Sequence, residues 1–153
     1  MDARTAVLAR ARDAISRSQQ GRPVRAIPRD YIRVGAHPPG SQPVVTDMVE
    51  KLEDYSADVV LAPDDEQILD AVDELLGRAR IVVVPSGLPG ACKRAAARRG
   101  RVVREDSREA PIPTLELDGI DAVVTCARVA VSLSGTIILD GEPDQGRRAI
   151  TLV

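Results

Sequence analysis

Aromatic side chains are almost absent from this sequence of 153 residues, which has no Phe, no Trp and 2 Tyr. The core must therefore be aliphatic, and recognition of bases by stacking on aromatic platforms is disfavoured. An excess of one charge is lacking too, since 21 basic and 23 acidic side chains give a net charge of −2. This balance provides no overall attraction for polyanions, and we expect no nucleic-acid partner.

Residues that bind metals are equally scarce. The chain has one histidine, His37, and two cysteines, Cys92 and Cys126, which lie far apart. These residues cannot supply an ordinary zinc site or the four thiolates of a conventional iron–sulfur cluster, and no dinucleotide-binding fingerprint is present. We therefore predict no metal site and no cofactor in this chain. His37, which lies in a turn, is expected to be solvated, Cys126 is expected to be a buried and inert thiol, and no catalytic residue is assigned.

Long hydrophobic runs are also missing. The most apolar stretch, 122–139, is interrupted by Arg128 and by several Ser and Thr, so it is interpreted as buried strands and not as a membrane span. The N-terminus has no apolar segment typical of a signal peptide. Together with the low cysteine content, this favours a cytoplasmic protein without a membrane span.

Hydrophobic periodicity and turn residues divide the chain into two regions. Residues 1–43 are predicted to form an N-terminal helix, over 3–18, and a proline-rich arm, and residues 44–153 an α/β domain. Alternation of helices with continuous apolar runs favours parallel strands with helices on both faces, while the short spacing of the last runs favours mixed pairing. The prediction is a mixed central sheet with flanking helices, and its strands are 57–62, 81–84, 101–104, 121–125, 129–133, 136–139 and 148–153.

Two glycine-containing loops bracket the predicted strand 136–139 and form the most informative region. Gly135 permits close approach to the backbone, and the polar side chains around it are suited to an anion. The candidate ligand-binding residues are Gly135, Thr136, Gln145, Gly146 and Arg147, with Ser86, Gly87 and Thr125 as further candidates. Two polar hairpin turns without a ligand are an equally good interpretation. A joint site requires strand 136–139 to run antiparallel to strand 81–84.

A run of basic residues lies between the predicted strands 81–84 and 136–139. It consists of Lys93, Arg94, Arg98, Arg99, Arg101 and Arg104. Acidic residues follow at once and no aromatic residues are interleaved, so a solvated helix face is the preferred interpretation over a nucleic-acid site.

Several segments resemble the lactate utilisation protein C family of LUD-domain proteins. They are Pro28–Tyr31 (PRDY), Val83–Pro89 (VVPSGLP), Asp118–Thr125 (DGIDAVVT), Val129–Val131 (VAV), Ser134–Gly141 (SGTIILDG) and Asp144–Val153 (DQGRRAITLV). The resemblance implies a fold of the ribose-5-phosphate isomerase/CoA-transferase type. It also implies a role in oxidising L-lactate to pyruvate with two partner proteins, one of which carries iron–sulfur clusters, this chain having no redox centre. Two departures are Leu133, where the family usually has an acidic residue, and the end at Val153, beyond which family members continue.

Alternative functions remain open. By analogy with the fold, the chain could be a stand-alone ligase or transferase acting on a small anionic or phosphorylated ligand, with Glu142 as the nearest match to a nucleophile in a glycine-containing loop. It could also be a structural or regulatory domain whose ligand site was lost with the change at Leu133. The apolar run that ends at Val153 is expected to be an edge strand, open to an iron–sulfur subunit or to a second copy of the chain.

Overall fold

A computed structural model describes residues 2–19 and 26–153, which fall into two compact units, 1–36 and 37–153. The first unit contains helix α1, Ala3–Gln19, which confirms the predicted helix within a residue. Residues 26–33 have no regular secondary structure, as predicted for the proline-rich arm, whose part at 20–25 lies outside the described residues.

The second unit combines helices with two small sheets. Its helices are α2 (Gln42–Asp54), α3 (Asp65–Leu76), α4 (Gly90–Ala96) and α5 (Thr114–Leu117), and its strands are β1 (Ile81–Pro85), β2 (Val102–Asp106), β3 (Ala122–Val123), β4 (Val129–Val131) and β5 (Thr136–Ile138). Strands β2, β1 and β3 form a parallel sheet in that order, and β4 pairs with β5 in an antiparallel hairpin. The α/β class and the parallel pairing are confirmed, but the strands are divided between two sheets.

The core lies on both faces of β1, whose Val82, Val83 and Val84 are fully buried. Because successive side chains of a strand point to opposite faces, Val83 packs in one cluster and its two neighbours in another. The first cluster includes Ile112, Leu117, Ile120 and Ile150, and the second includes Leu88 and Ala96. This run of buried valines is the pattern that parallel strands covered on both faces require.

A buried arginine fixes α3 beside the start of β2. Arg101 has a side chain that is 2% exposed, and its Nη1 donates to Oδ1 of Asp73 at 2.7 Å. Its Nη2 donates to the carbonyl oxygens of Asp73 and Gly77, at 3.0 and 3.3 Å. Helix α3 begins at an Asp64 cap whose carboxylate accepts from the amide of Gln67 at 2.9 Å. Capping and this arginine therefore hold both ends of α3.

The predicted strand 57–62 is wrong. Residues 57–63 connect α2 to α3 without strand pairing, and Val60 and Leu61 are exposed. The parallel sheet consists of β2, β1 and β3 in the part of the chain that the structure describes, and this apolar run does not join either of its edges.

The predicted strand 148–153 is also wrong, since Arg148–Leu152 forms a 3₁₀ turn. Ile150 is fully buried beneath Val83, whereas Leu152 and Val153 are 76% and 46% exposed. The amide of Ile150 donates to the carbonyl oxygen of Arg147 at 3.1 Å, so this segment closes local hydrogen bonds in place of those of an edge strand. The argument for partner contact from an edge strand at Val153 fails with it.

The other predicted strands exist with shifted bounds. The run 81–84 is confirmed by β1, and 101–104 is displaced slightly towards the C-terminus in β2. The runs 121–125, 129–133 and 136–139 contain the shorter β3, β4 and β5. Across 2–19 and 26–153, no helix is both long enough and apolar enough to cross a lipid bilayer.

The 3₁₀ turn predicts unequal costs for two substitutions near the end of the chain. Ile150→Ala should lower the free energy of unfolding by about 2–5 kcal/mol, because it leaves a cavity in the core. Leu152→Ala, the matched control, should change it by less than about 0.5 kcal/mol because the side chain is exposed. Urea unfolding measures both. Equal losses would contradict the turn, since residues 150 and 152 would share one face of a strand.

Candidate functional site

A cleft of about 320 Å³ opens where β1 and β2 end, and we call it the carboxyl-edge cleft. Ligands of open parallel sheets gather at this edge, beyond the carboxyl ends of the strands. The residues that shape it most are Ser86, Asp106, Arg108, Asp140, Glu142 and Arg147. An adjoining hollow of about 460 Å³ shares Arg108, Asp140 and Arg147 and adds Gln145 and Arg148.

A bidentate ion pair forms one wall of the cleft. Asp106, the last residue of β2, is fully buried, and both of its carboxylate oxygens accept hydrogen bonds from Arg147. The Nε of Arg147 lies 2.9 Å from Oδ2, and its Nη2 also donates to the carbonyl oxygen of Ile112 at 3.1 Å. The amide of Ile112 donates to Oδ1 of Asp106 at 2.8 Å. The arginine is therefore fixed by several bonds of well-defined direction.

Both members of this pair are charged at neutral pH. Burial alone would raise the pKa of Asp106, but the hydrogen bonds from Arg147 and from the Ile112 amide outweigh it and hold that pKa below its usual value. The hydrogen bond to Asp106 raises the pKa of Arg147. Neither group is suited to donate or accept a proton in a reaction, and Arg147 acts as a fixed cation.

Two glycines allow the walls of the cleft to meet. A Cβ at Gly87 would lie 2.6 Å from the carbonyl carbon of Pro143, and the Gly87 amide donates to the Pro143 oxygen at 2.9 Å. A Cβ at Gly146 would lie 2.7 Å from Cδ1 of Ile150. A side chain at either position would push the loop 142–146 away from the end of β1.

The structure brings part of the predicted site together. Ser86, Gly146 and Arg147 line the cleft, and Gly87 supports it from behind through Pro143. Gln145 is buried next to them, where its Oε1 accepts from the amide of Asp140 at 2.7 Å and stabilises the loop.

The remaining predicted residues lie elsewhere. Gly135 packs against Lys51 of α2, where a Cβ would come within 2.9 Å of the lysine Cβ. Thr136 shares a hydrogen bond of 2.8 Å with Ser134, and the hydroxyl of Thr125 donates to the neighbouring carbonyl of Cys126. Leu133 is 79% exposed and is not among the residues that line the cleft. Strand β5 pairs with β4 and not with β1, so it lies in a different sheet from strand 81–84.

Three cleft residues, Asp106, Arg108 and Asp140, were missed by the sequence analysis. Asp106 was interpreted only as one of the acids that follow the basic run, although its place at the end of a parallel strand was a usable signal. Arg108 is exposed and its Nη2 donates to the Gly141 oxygen at 3.3 Å. Among the residues that the structure describes, Nη1 of Arg147 has no hydrogen-bond partner, so this atom is available to a ligand.

The histidine and the two cysteines have no place in the cleft. His37 is exposed. Burial raises the pKa of the Cys92 thiol, as does the charge of Asp65, and burial likewise raises that of Cys126, which also lies near Asp144. Both cysteines pack against the cluster around Val82. Within 2–19 and 26–153, no three His, Cys, Asp or Glu side chains converge as a metal-binding group.

The basic run is largely neutralised by acids. Its ion pairs are Lys93–Glu105, Arg98–Asp70, Arg99–Asp73, Arg101–Asp73 and Arg104–Glu116. This pairing leaves little continuous positive surface around α4. The interpretation as a solvated helix face is wrong for part of the run, because α4 ends at Ala96 and the Arg101 side chain is 2% exposed.

The α/β architecture is similar to a solved structure, that of a DUF162 family protein from Deinococcus radiodurans. The two chains are 38% identical, with a TM-score of 0.62 over 71% of this chain and 62% of the other. The match confirms the fold class.

A curated relative extends the comparison to a named protein, lactate utilization protein C of Deinococcus radiodurans. It is 46% identical over 83 residues, which are 54% of this chain and 36% of the relative. The resemblance to the lactate utilisation protein C family is thereby confirmed. The chain spans about a third of the curated relative that it matches. No model of a known protein family matches the chain.

The ion pair in the cleft predicts a specific dependence of stability on pH. Because the pKa of Asp106 is lowered in the folded state, its contribution is present above the ordinary value of about 3.9 and is lost as the pH falls towards the folded value. Asp106→Asn should lower the free energy of unfolding at pH 7 by about 3 kcal/mol, since it leaves Arg147 unpaired, and should flatten the loss below pH ~4.

Glu116→Gln is the matched control. It removes the acid of an exposed pair with Arg104 and should cost no more than about 1 kcal/mol. Denaturant unfolding from pH 3 to pH 7 measures all three proteins. An Asp106→Asn variant as stable as the control, with the same acid sensitivity as the unaltered chain, would contradict a stabilising ion pair between Asp106 and Arg147.

Proposed function

We propose that this chain takes part in lactate utilisation, as a subunit that has no redox centre and works with iron–sulfur proteins. The name of the curated relative supports the general role. The sequence supports the proposal that this subunit has no redox centre, because its two cysteines cannot provide the four thiolates of a conventional cluster.

The chemistry of lactate explains why partners are needed. Oxidation of lactate to pyruvate breaks the C–H bond of the carbon that carries the hydroxyl and the O–H bond of that hydroxyl. Two protons and two electrons are released, and a redox cofactor must accept the electrons. The residues of this chain then bind and orient lactate, and the electrons pass to another polypeptide.

The carboxyl-edge cleft is the proposed ligand site. The observation that carries this proposal is the guanidinium of Arg147, a cleft-lining residue that buried Asp106 holds in place and whose Nη1 has no hydrogen-bond partner among the described residues. Because Asp106 occupies Nε and Nη2 of Arg147, a ligand carboxylate would be bound by Nη1 through a single charge-assisted hydrogen bond. Asp140 and Glu142 line the same cleft and can accept a hydrogen bond from a hydroxyl. A small α-hydroxy carboxylate, such as lactate, presents both groups.

The stand-alone transferase or ligase is the second candidate. It is favoured by the carboxylate of Glu142, which lies in the cleft where it could meet an activated acyl group. Under this alternative the chain would turn over a phosphorylated or CoA-linked substrate without partners.

Reconstitution tests the proposal. We expect the full chain alone to give no lactate-dependent reduction of an electron acceptor, and to co-purify with a cluster-bearing protein when the lactate-oxidising system is expressed together. Arg108→Gln should lower the kcat/KM of the assembled system about tenfold, as expected for loss of one charged hydrogen bond. Arg94→Gln, an exposed arginine outside the cleft, should leave it unchanged.

Two results would overturn the proposal. Robust lactate oxidation by the chain alone would contradict the subunit role. Failure to bind any partner, together with turnover of a phosphorylated or CoA-linked substrate, would establish the alternative.

A further inference from the structure

A second depression lies at the opposite edge of the parallel sheet, where β1 and β2 begin. It has a volume of about 630 Å³ and is formed by two short segments, 77–81 and 99–102. We call it the amino-edge depression. Since the strands are parallel, it is separated from the carboxyl-edge cleft by the length of β1. Four arginines line it, namely Arg78, Arg80, Arg99 and Arg101.

Positive charge is in excess in this depression. Asp73 is shared by two of the arginines, with its carboxylate 3.0 Å from Arg99 and 2.7 Å from Arg101. Neither Arg78 nor Arg80 forms an ion pair with any residue in the described ranges. The carboxylate of Asp121 accepts from two backbone amides, those of Arg80 and Ile81. Four guanidinium groups thus face two carboxylates, which leaves two positive charges uncompensated.

The buried arginine in the lining, Arg101, has one polar atom without a partner among the described residues. The side chain of Arg101 is 2% exposed, and its Nε is buried without a hydrogen-bond partner in the part of the chain that is described. Buried donors are almost always paired in folded proteins, so an unpaired one requires an explanation. Because this Nε is inaccessible, an anion in the depression would act on Arg101 only through its charge.

We propose that the amino-edge depression binds the phosphate group of a small phosphorylated molecule. Guanidinium groups bind phosphate oxygens through two parallel hydrogen bonds, and the exposed arginines, Arg78 and Arg80, are free to do so. Val102, which is 57% exposed, and Ile81 give the depression an apolar wall for the rest of the ligand.

The surroundings favour a small ligand over a macromolecule. The volume falls in the range of about 300–1,000 Å³ that is typical of small-molecule sites. The neighbouring basic residues Lys93, Arg98 and Arg104 are paired with acids, so the positive charge does not extend into the stripe that a nucleic acid or a long acidic surface requires. This site is independent of the lactate proposal, and its test involves no lactate.

Calorimetric titration of the full chain with inorganic pyrophosphate at low ionic strength tests the site. We expect saturable binding of one pyrophosphate per chain. The double variant Arg78→Gln, Arg80→Gln should bind at least about tenfold more weakly, since charged hydrogen bonds are lost. The matched control Arg10→Gln, Arg12→Gln removes two exposed arginines at the same spacing from α1 and should bind as the unaltered chain does. Circular dichroism verifies that both variants are folded.

Three results would overturn the proposal. One is the absence of saturable pyrophosphate binding. Another is an equal loss in the control variant, which would show a general effect of net charge. The third is binding of a glutamate-rich peptide or of single-stranded DNA as tightly as pyrophosphate, which would assign the depression to a macromolecule.

Discussion

The ion pair between Asp106 and Arg147 is the interaction on which the rest of the second unit depends. A fully buried carboxylate is stable only when it is paired and hydrogen-bonded, and here Arg147 and the amide of Ile112 meet that requirement. The arginine in turn fixes the start of the last turn, so that Ile150 enters the core beneath Val83. One pair therefore joins the end of β2, the loop 142–146 and the final turn, and the cleft is the space between them.

Charge is distributed differently at the two edges of the sheet. At the carboxyl edge the buried acid is matched by Arg147, and exposed acids such as Asp140 accompany exposed Arg108, which suits a small ligand with a carboxylate and a hydroxyl. At the amino edge Asp73 is shared by two arginines, and Arg78 and Arg80 are unpaired, which suits a more highly charged anion. The parallel arrangement keeps the two sets of charges apart.

Sequence reasoning succeeded where the local pattern determines the structure. Four consecutive apolar residues, 81–84, bounded by turn residues, predict a strand buried on both faces, and β1 is that strand. The similar run 57–62 predicts burial equally well, but a strand also needs a partner strand, and the segment that connects α2 to α3 pairs with none in the described structure. At 148–153 the pattern could not reveal the 3₁₀ turn, in which Ile150 is fully buried whereas Leu152 and Val153 are exposed.

The residues of the candidate site were likewise predictable only where a local sequence pattern determines their position. Gly135 and Gly146 give the same local signal, and both adopt positive φ, but tertiary packing places one against α2 and the other at the cleft. Arg147 was predicted from its own loop, whereas its partner Asp106 lies 41 residues away and no local pattern joins them. Contacts across such separations are set by the sheet and cannot be read from neighbouring residues.

Titration of the isotopically labelled full chain with L-lactate, followed by amide resonances in NMR spectra, tests the central claim most directly. Binding at the carboxyl-edge cleft predicts saturable shifts at Ser86, Gly141 and Gly146, with no shifts at Gly135 and Thr136. Arg108→Gln should weaken this binding, and Arg94→Gln should not. Absence of saturable shifts, or shifts confined to Gly135 and Thr136, would contradict the account.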